Sequence, residues 1–304
     1  MNILLFKCML TLAVIKLTIS INTNNSTLKQ LIVVTNQQRV IANEITKKLN
    51  RKFNIHYPKE AIYSKLTDLD VINLEDLGKY LKIKYFNFSD SAINPLSLKV
   101  YNTDSNNYNI SAHTILSQIF QNHTFYFKEK QSLIFPVGPL EIASLDIYLT
   151  FKLEYQDYLK LSSGKEDILK NISQQSQIDF KDYILFSLKA NQLLNQKYLN
   201  LSFPEWAQKN LKEIISAQNY LYNFLYGDKN IAKIISGPLL NYIVTELKNQ
   251  IFINPFVLYL TDDSMLCSML TLINSPCNST PEMASSLIFE VSETSNKEHY
   301  VKVF

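Results

Sequence analysis

The sequence predicts an α/β fold, and three observations carry that expectation. Leu28 to Thr35 (LKQLIVVT) and Phe256 to Leu260 (FVLYL) are β-branched or apolar runs, each followed by a stretch that reads as helix. Two further β-like runs, Ser286 to Val291 and Tyr300 to Phe304, close the chain, whereas residues 124 to about 228 read mostly as helix. The chain has 304 residues, 46% hydrophobic and 19% charged, enough apolar material for one large domain or for a core domain with an insertion.

Taken in order, Met1 to Ser20 is an apolar run interrupted by Lys7 and Lys16, with small residues near its end, and reads as a signal peptide. Eight N-x-Ser/Thr sequons accord with export: Asn24, Asn25, Asn87, Asn109, Asn122, Asn171, Asn200 and Asn278. An asparagine-rich chain produces some such matches by chance, so only part of the set is expected to carry glycans. Removal of the signal takes Cys8 with it and leaves Cys267 and Cys277, which favours one local disulfide over two buried thiols. No later run has the length and apolarity to span a bilayer.

The first strand runs into residues 36 to 52, where Val40, Ile41, Ile45 and Leu49 recur at helical spacing. No glycine stands at that junction to let backbone amides close on a phosphate. Lys65 to Tyr85 reads as an amphipathic helix with Thr67 as N-cap and Leu69, Ile72, Leu77 and Leu81 facing inward. Leu96 to Tyr101 reads as a strand, followed by a helix from about Tyr108 to Gln121. Ser202 to Glu205 has the form of a capping box, opening a helix with Trp206, Leu211, Ile214, Ile215, Leu221 and Leu225 on one stripe. Gly237-Pro238 opens the next helix, with Leu239, Leu240, Ile243, Val244, Leu247 and Ile251 on one side. The last strand-to-helix junction places Asp262 and Asp263 at the carboxyl end of a strand, where open α/β sheets build sites.

Net charge is +3, and no basic cluster is interleaved with aromatics, so nucleic acid is not expected as a partner. Of the 30 basic residues only Arg39 and Arg51 are arginine, the side chain suited to bidentate phosphate recognition. Abundant Asn, Ile, Lys and Tyr is also the usage of an AT-rich genome. His113, His123 and His299 lack metal-ligand spacing, so neither a metal nor another cofactor is expected.

Several stretches resemble the histidine acid phosphatases. Tyr259 and Asp263 fall on that family's Y-S-x-H-D-T-T, Ala284 to Glu290 on its A-S-S-L-I-F-E-L, and Tyr300-Val301-Lys302 on its Y-x-V-R. Leu66, Thr67, Leu77, Gly78, Leu81 and Tyr85 match its first long helix, and Thr103, Asp104, Ser111 and Ala112 its S-T-D-x-x-R-T-x-x-S-A. Pro204 and Trp206 match P-x-W. In the family's R-H-G-x-R-x-P, Arg39 falls on the first arginine, Val40 on the nucleophilic histidine, Ile41 on the glycine, Asn43 on the second arginine and Ile45 on the proline. Asn107 stands where a further phosphate-binding arginine is found, and Asp262 where the second histidine is found.

The resemblance implies a mixed central sheet flanked by helices, with a mainly helical insertion capping the active-site cleft. Residues 1–20 would be the signal, 28–123 and 235–304 the core, and 124–234 the cap. The family mechanism uses a histidine to attack phosphorus, arginines and a second histidine to hold the oxygens, and an aspartate to protonate the leaving group. Arg39 and Asp263 persist, whereas Val40 cannot form a phosphoenzyme. A carboxylate at position 262 would repel a phosphate by roughly 4 kcal/mol per charge pair at ~4 Å in a medium of dielectric ~20, unless protonated or turned away. A new Asp262–Asp263 acid/base dyad would need a turn, because neighbours on an extended segment point to opposite sides.

The expectation is therefore a histidine acid phosphatase-like glycoprotein, secreted or held in a lysosome-like lumen, without catalysis. A small-molecule or protein ligand would occupy the cleft between core and cap. The alternative is a weakly active or altered-specificity acid phosphatase hydrolysing phosphomonoesters.

Overall fold

The computed structural model describes residues 27–38, 66–86, 98–101, 106–120, 165–180, 183–198, 200–248, 254–275 and 277–304. The predicted signal peptide, Cys8, Arg39, Val40, Ile41, Asn43, Ile45, Thr103, Asp104 and His123 lie outside them, as do the sequons at Asn24, Asn25, Asn87 and Asn122.

Five strands form one mixed sheet in the order β2-β3-β1-β4-β5. They are β1 (Thr27–Gln38), β2 (Leu98–Tyr101), β3 (Phe256–Asp262), β4 (Ser286–Glu293) and β5 (His299–Val303). The pairs β1–β3 and β2–β3 are parallel, whereas β4 runs antiparallel to β1 and β5 antiparallel to β4. β1 is central, and its apolar run is continuous because both faces are covered. Leu31 and Val33 join Phe256, Leu258, Leu260 and Ile288 on one face; Ile32 and Val34 join Val257, Tyr259, Leu287 and Phe289 on the other.

The first face packs on α1 (Asp68–Leu81) and α2 (Asn106–Ile119), the second on α7 (Lys229–Lys248) and α8 (Asp263–Leu272). The intervening helices α3 (Glu166–Ser176), α4 (Tyr183–Tyr198), α5 (Glu205–Lys209) and α6 (Leu211–Tyr226) build a separate apolar cluster around Phe180, Phe186, Leu193 and Ile214. A fourth cluster, including Ile184, Leu221, Leu225, Ile231, Cys267 and Cys277, joins α4, α6 and α7 to α8.

Thr67 caps α1 as expected. Its hydroxyl accepts from the Asp70 amide at 3.2 Å, and the Thr67 amide and hydroxyl donate to Asp70 Oδ2 at 2.7 and 2.9 Å. The expected inward face is corrected, because Leu69 and Ile72 are 55% and 50% exposed. The buried residues are Asp70, Leu74, Gly78 and Leu81. The capping box turns Asp70 inward, and Gly78 admits the neighbouring helix: a Cβ there would stand 2.6 Å from the Ile115 carbonyl oxygen of α2. A π-helical turn, Lys82–Phe86, ends the segment.

Two further helix starts differ from expectation. Ser202 makes no capping box; Pro204 is the N-cap of α5 without a side-chain bond. The single expected helix is broken at Asn210, whose Nδ2 donates to the Trp206 carbonyl at 2.7 Å and to Gln175 Oε1 at 2.6 Å. α7 begins at Lys229, ahead of Gly237-Pro238, because Asp228 accepts from the amides of Asn230 and Ile231 at 2.8 and 3.2 Å. Pro238 lies exposed within that helix. Burial of Ile231, Ile235, Leu239 and Ile243 offsets the roughly 3 kcal/mol that an interior proline costs.

Candidate functional site

The parallel strands β2, β3 and β1 run in one direction and end on the same side of the sheet, at Tyr101, Asp262 and Gln38. Gln38, the residue before Arg39, pairs directly with Asp262 across a bulge that follows Asn36. Asn107 lies in the first turn of α2, which starts five residues beyond Tyr101. That side is thus where strand ends in such sheets collect chemistry.

Asp262 and Asp263 serve two different structural ends there. Asp262 is the N-cap of α8: its Oδ1 accepts from the Met265 amide at 2.8 Å and from the Ser264 hydroxyl at 2.5 Å. The carboxylate is turned onto its own helix, where it meets the positive end of the macrodipole. Burial raises its pKa above the usual carboxylate value, and the hydrogen bonds from Ser264 and Met265 act in the opposite direction. Asp263, the first residue of α8, is 1% exposed, and its Oδ2 accepts from the Tyr222 hydroxyl of α6 at 2.7 Å. Burial, and then the charge of Asp263, hold the Tyr222 phenol well above its ordinary pKa.

Around this pair, a polar lattice fixes the end of β1. Thr261 Oγ1 donates to the Thr35 carbonyl at 3.1 Å, and Ser286 Oγ donates to Thr35 Oγ1 at 2.9 Å. Asn36, fully buried, donates from Nδ2 to the carbonyls of Pro281 and Glu282 at 3.3 and 3.1 Å. It clamps the turn that leads into β4 onto the strand that leads to Arg39. Ala284 in that turn adopts a left-handed φ of 64° and bonds through its amide to the Asn36 carbonyl at 2.8 Å.

Cys267 and Cys277 are bonded to each other, with their Cα atoms 5.3 Å apart. The bridge ties α8 to the loop before β4, as the sequence favoured, and sits in the cluster that joins α8 to α4, α6 and α7. Among the described residues no group of three or more His, Cys, Asp or Glu is placed to hold a metal ion. No helix among them is long and apolar enough to cross a membrane.

Sequence reasoning singled out Asp262 and Asp263 but missed Tyr222, Asn36, Thr261 and Ser264 as their setting. Asn36 and Thr261 carried a weak signal, as polar residues beside β-branched runs. Tyr222 carried none: it lies 41 residues from Asp263 and reads as one more apolar position of α6.

A mixed sheet covered by helices on both faces, with parallel strand ends meeting at an acidic helix start, is an α/β fold of the class the sequence predicts. The family model of the histidine phosphatase superfamily (branch 2) matches residues 22–304, and the chain belongs to that family, the histidine acid phosphatases. Among solved structures the chain is similar to the phytase of Klebsiella sp. ASR1, with 14% identity and a TM-score of 0.65 over 92% of this chain and 83% of that one. It is similar to apo Hafnia alvei phytase at 15% identity and a TM-score of 0.59, over 93% and 85% of the two chains. The Bifidobacterium longum multiple inositol polyphosphate phosphatase in complex with phosphate matches at 7% identity and a TM-score of 0.61, over 94% and 88%. At such identities the likeness is one of fold. No curated protein sequence matches the chain.

Proposed function

We propose that this chain is a histidine acid phosphatase-like glycoprotein of the secretory lumen that no longer transfers phosphoryl groups and acts by binding. The observation that carries this is the engagement of Asp263: the one retained general acid is 1% exposed and takes a hydrogen bond from Tyr222 of α6. A proton donor must reach the leaving-group oxygen, and a carboxylate enclosed between α6 and α8 is placed to join helices. Asp262 supports the same reading, since its carboxylate caps α8 in the position where the family has an imidazole.

The four substituted positions add to this. Val40 supplies no nucleophile, and Asn43, Asn107 and Asp262 supply no cation to the phosphate oxygens. Arg39 alone keeps a phosphate-binding side chain from the family pattern, and it is what favours the second reading, a weakly active acid phosphatase. The core would comprise residues 28–123 and 235–304 and the cap 124–234, with a small molecule or protein held between them. Export would follow from the leader at 1–20, with the Cys267–Cys277 bridge formed in the oxidising lumen.

The test is hydrolysis of a generic phosphomonoester at acid pH by the purified full chain. No turnover above a protein-free control is expected. Turnover that disappears on Asp263→Ala would overturn the proposal and establish the second reading. Inorganic phosphate and myo-inositol hexakis sulphate, the latter bound by Hafnia alvei phytase, serve as probes for binding. Thermal stabilisation by either without turnover supports a binding role.

A further inference from the structure

Four of the eight sequons lie on described residues, and the structure separates them. In α2 and α3 the asparagine and the hydroxyl residue two positions on stand on opposite sides of a helix, because residues i and i+2 do not share a face. Asn109 is exposed while Ser111 is fully buried. Asn171 is exposed, but its Oδ1 accepts from Gln175 at 2.9 Å, and Ser173 Oγ accepts from the Phe180 amide at 3.1 Å. Asn200 occupies a left-handed turn with φ of 55°, two residues beyond the end of α4.

The Thr280 hydroxyl of the Asn278 sequon is buried like Ser111, but Asn278 is distinguished by the groove that it lines. It lies exposed in the loop after α8, next to Cys277, whose bridge to Cys267 fixes where the loop leaves the core. The hydroxyl residue of the sequon, Thr280, is held against α6 by its amide, which donates to Asn219 Oδ1 at 3.2 Å. Asn278 itself lines a shallow groove of about 460 Å³ whose other wall is α6, including Lys212, Ile215, Ser216, Asn219 and Asn223. Residues 212 to 223 rise about 16 Å along the helix axis, the length of a few sugar rings.

The groove has a composition suited to carbohydrate. Ile215 is a large apolar side chain 43% exposed, and Tyr220 gives an aromatic surface beside it; both can meet the C–H face of a sugar ring. Ser216, Asn219 and Asn223 offer hydroxyl and amide partners for sugar hydroxyls on the same helix face.

We propose that Asn278 is an N-glycosylation site and that its core sugars lie in the groove along α6. The inference rests on the secretory reading and names a sequon, among those on described residues, that lines a groove able to seat its sugars. In the transfer, Asn278 Nδ2 bonds to C1 of an oligosaccharide carried on a lipid pyrophosphate. The C1–O bond breaks, the lipid pyrophosphate leaves with the bonding pair, and the amide gives up one proton. Once folded, the glycan covers Ile215 and shields the loop that leads from the disulfide to Ala284.

The full chain is expressed in a glycosylating eukaryotic cell with its own leader and, in parallel, with an established heterologous signal peptide. Site-resolved mass spectrometry reads occupancy, and peptide N-glycosidase reads accessibility of the glycan before and after denaturation. The expected result is a glycan at Asn278 that resists release from the native protein and is released after denaturation. One glycan's mass should be lost in Asn278→Gln and in Thr280→Ala and kept in Thr280→Ser, so a folding defect in one variant does not decide the matter. Ile215→Asp should make the glycan releasable from the native protein.

An unmodified Asn278 in exported protein overturns the site. A glycan equally releasable before and after denaturation overturns the seat. Failure with the native leader alone, with Asn278 modified behind the heterologous one, overturns the secretory reading while sustaining the site.

Discussion

The Tyr222 hydroxyl donates to Asp263 Oδ2 at 2.7 Å and joins α6 to the first turn of α8. This bond crosses from the helical stretch to the α/β core beside the disulfide, within the apolar cluster those helices share. It makes the Asp263 carboxylate a tie between two helices of the fold. Tyr222→Phe keeps the ring packing and removes the donor, leaving a buried carboxylate short of one bond. A loss of ~1–3 kcal/mol is expected in urea denaturation, with no change in phosphomonoester turnover. A variant that instead altered the pH profile of a measurable activity would place Asp263 in catalysis.

Asp262 should leave a signature in the pH dependence of stability. Burial raises its folded pKa above the unfolded value of about 3.9, so the folded chain binds this proton more tightly than the unfolded one. Its contribution is most favourable below the unfolded pKa and declines as pH rises through the folded pKa. Asp262→Asn keeps the cap acceptor and deletes the titration, so the slope of stability against pH should flatten from about pH 3.9 upward. Asp262→Ala also loses the cap and should cost ~0.5–2 kcal/mol at neutral pH. Urea melts of both variants across that range separate the two effects.

Gly78 marks the closest approach of α1 to α2. A Cβ there would meet the Ile115 carbonyl oxygen at 2.6 Å and Gln118 Cβ at 2.8 Å. Alanine gains up to ~1 kcal/mol of helix propensity over glycine, but forcing the helices apart costs ~1–3 kcal/mol. Because the nearest atom is backbone, Gly78→Ala should be net destabilising, read as a lowered melting temperature. Unchanged or raised stability would show that α1 shifts freely on α2.

Reduction of the Cys267–Cys277 bridge releases a constraint across a sequence separation of 10 residues. Loop-closure entropy puts its worth at about 3 kcal/mol. Cys267→Ser with Cys277→Ser should show that loss in denaturant melts, and reducing agent should destabilise the parent chain but leave the double variant unchanged.

Much of the fold was legible in the sequence because local chemistry sets it. The β-branched run of β1, the apolar run of β3 and the Thr67 cap are each fixed by residues within a few positions of one another. Ala284 to Glu290 likewise led to β4, and the cysteine pair to its bridge. Which face α1 buries was not legible. That face follows the approach of α2 at Gly78 and the inward turn of Asp70, where periodicity pointed to Leu69 and Ile72. The start of α7 was missed because Asp228 caps it from outside the apolar stripe, and the packing of Ile231 and Ile235 outweighs the break that Pro238 signals.

By itself the sequence determined the α/β class and the family frame, and it set Asp262 and Asp263 side by side at the end of a strand. Only the tertiary structure decided what these two acids do. Asp262 and Asp263 are neighbours in the chain, yet one carboxylate turns onto its own helix and the other meets a phenol 41 residues away in sequence. A side chain's chemistry is fixed by the groups that enclose it, and long-range packing of α6 on α8 brings those groups together.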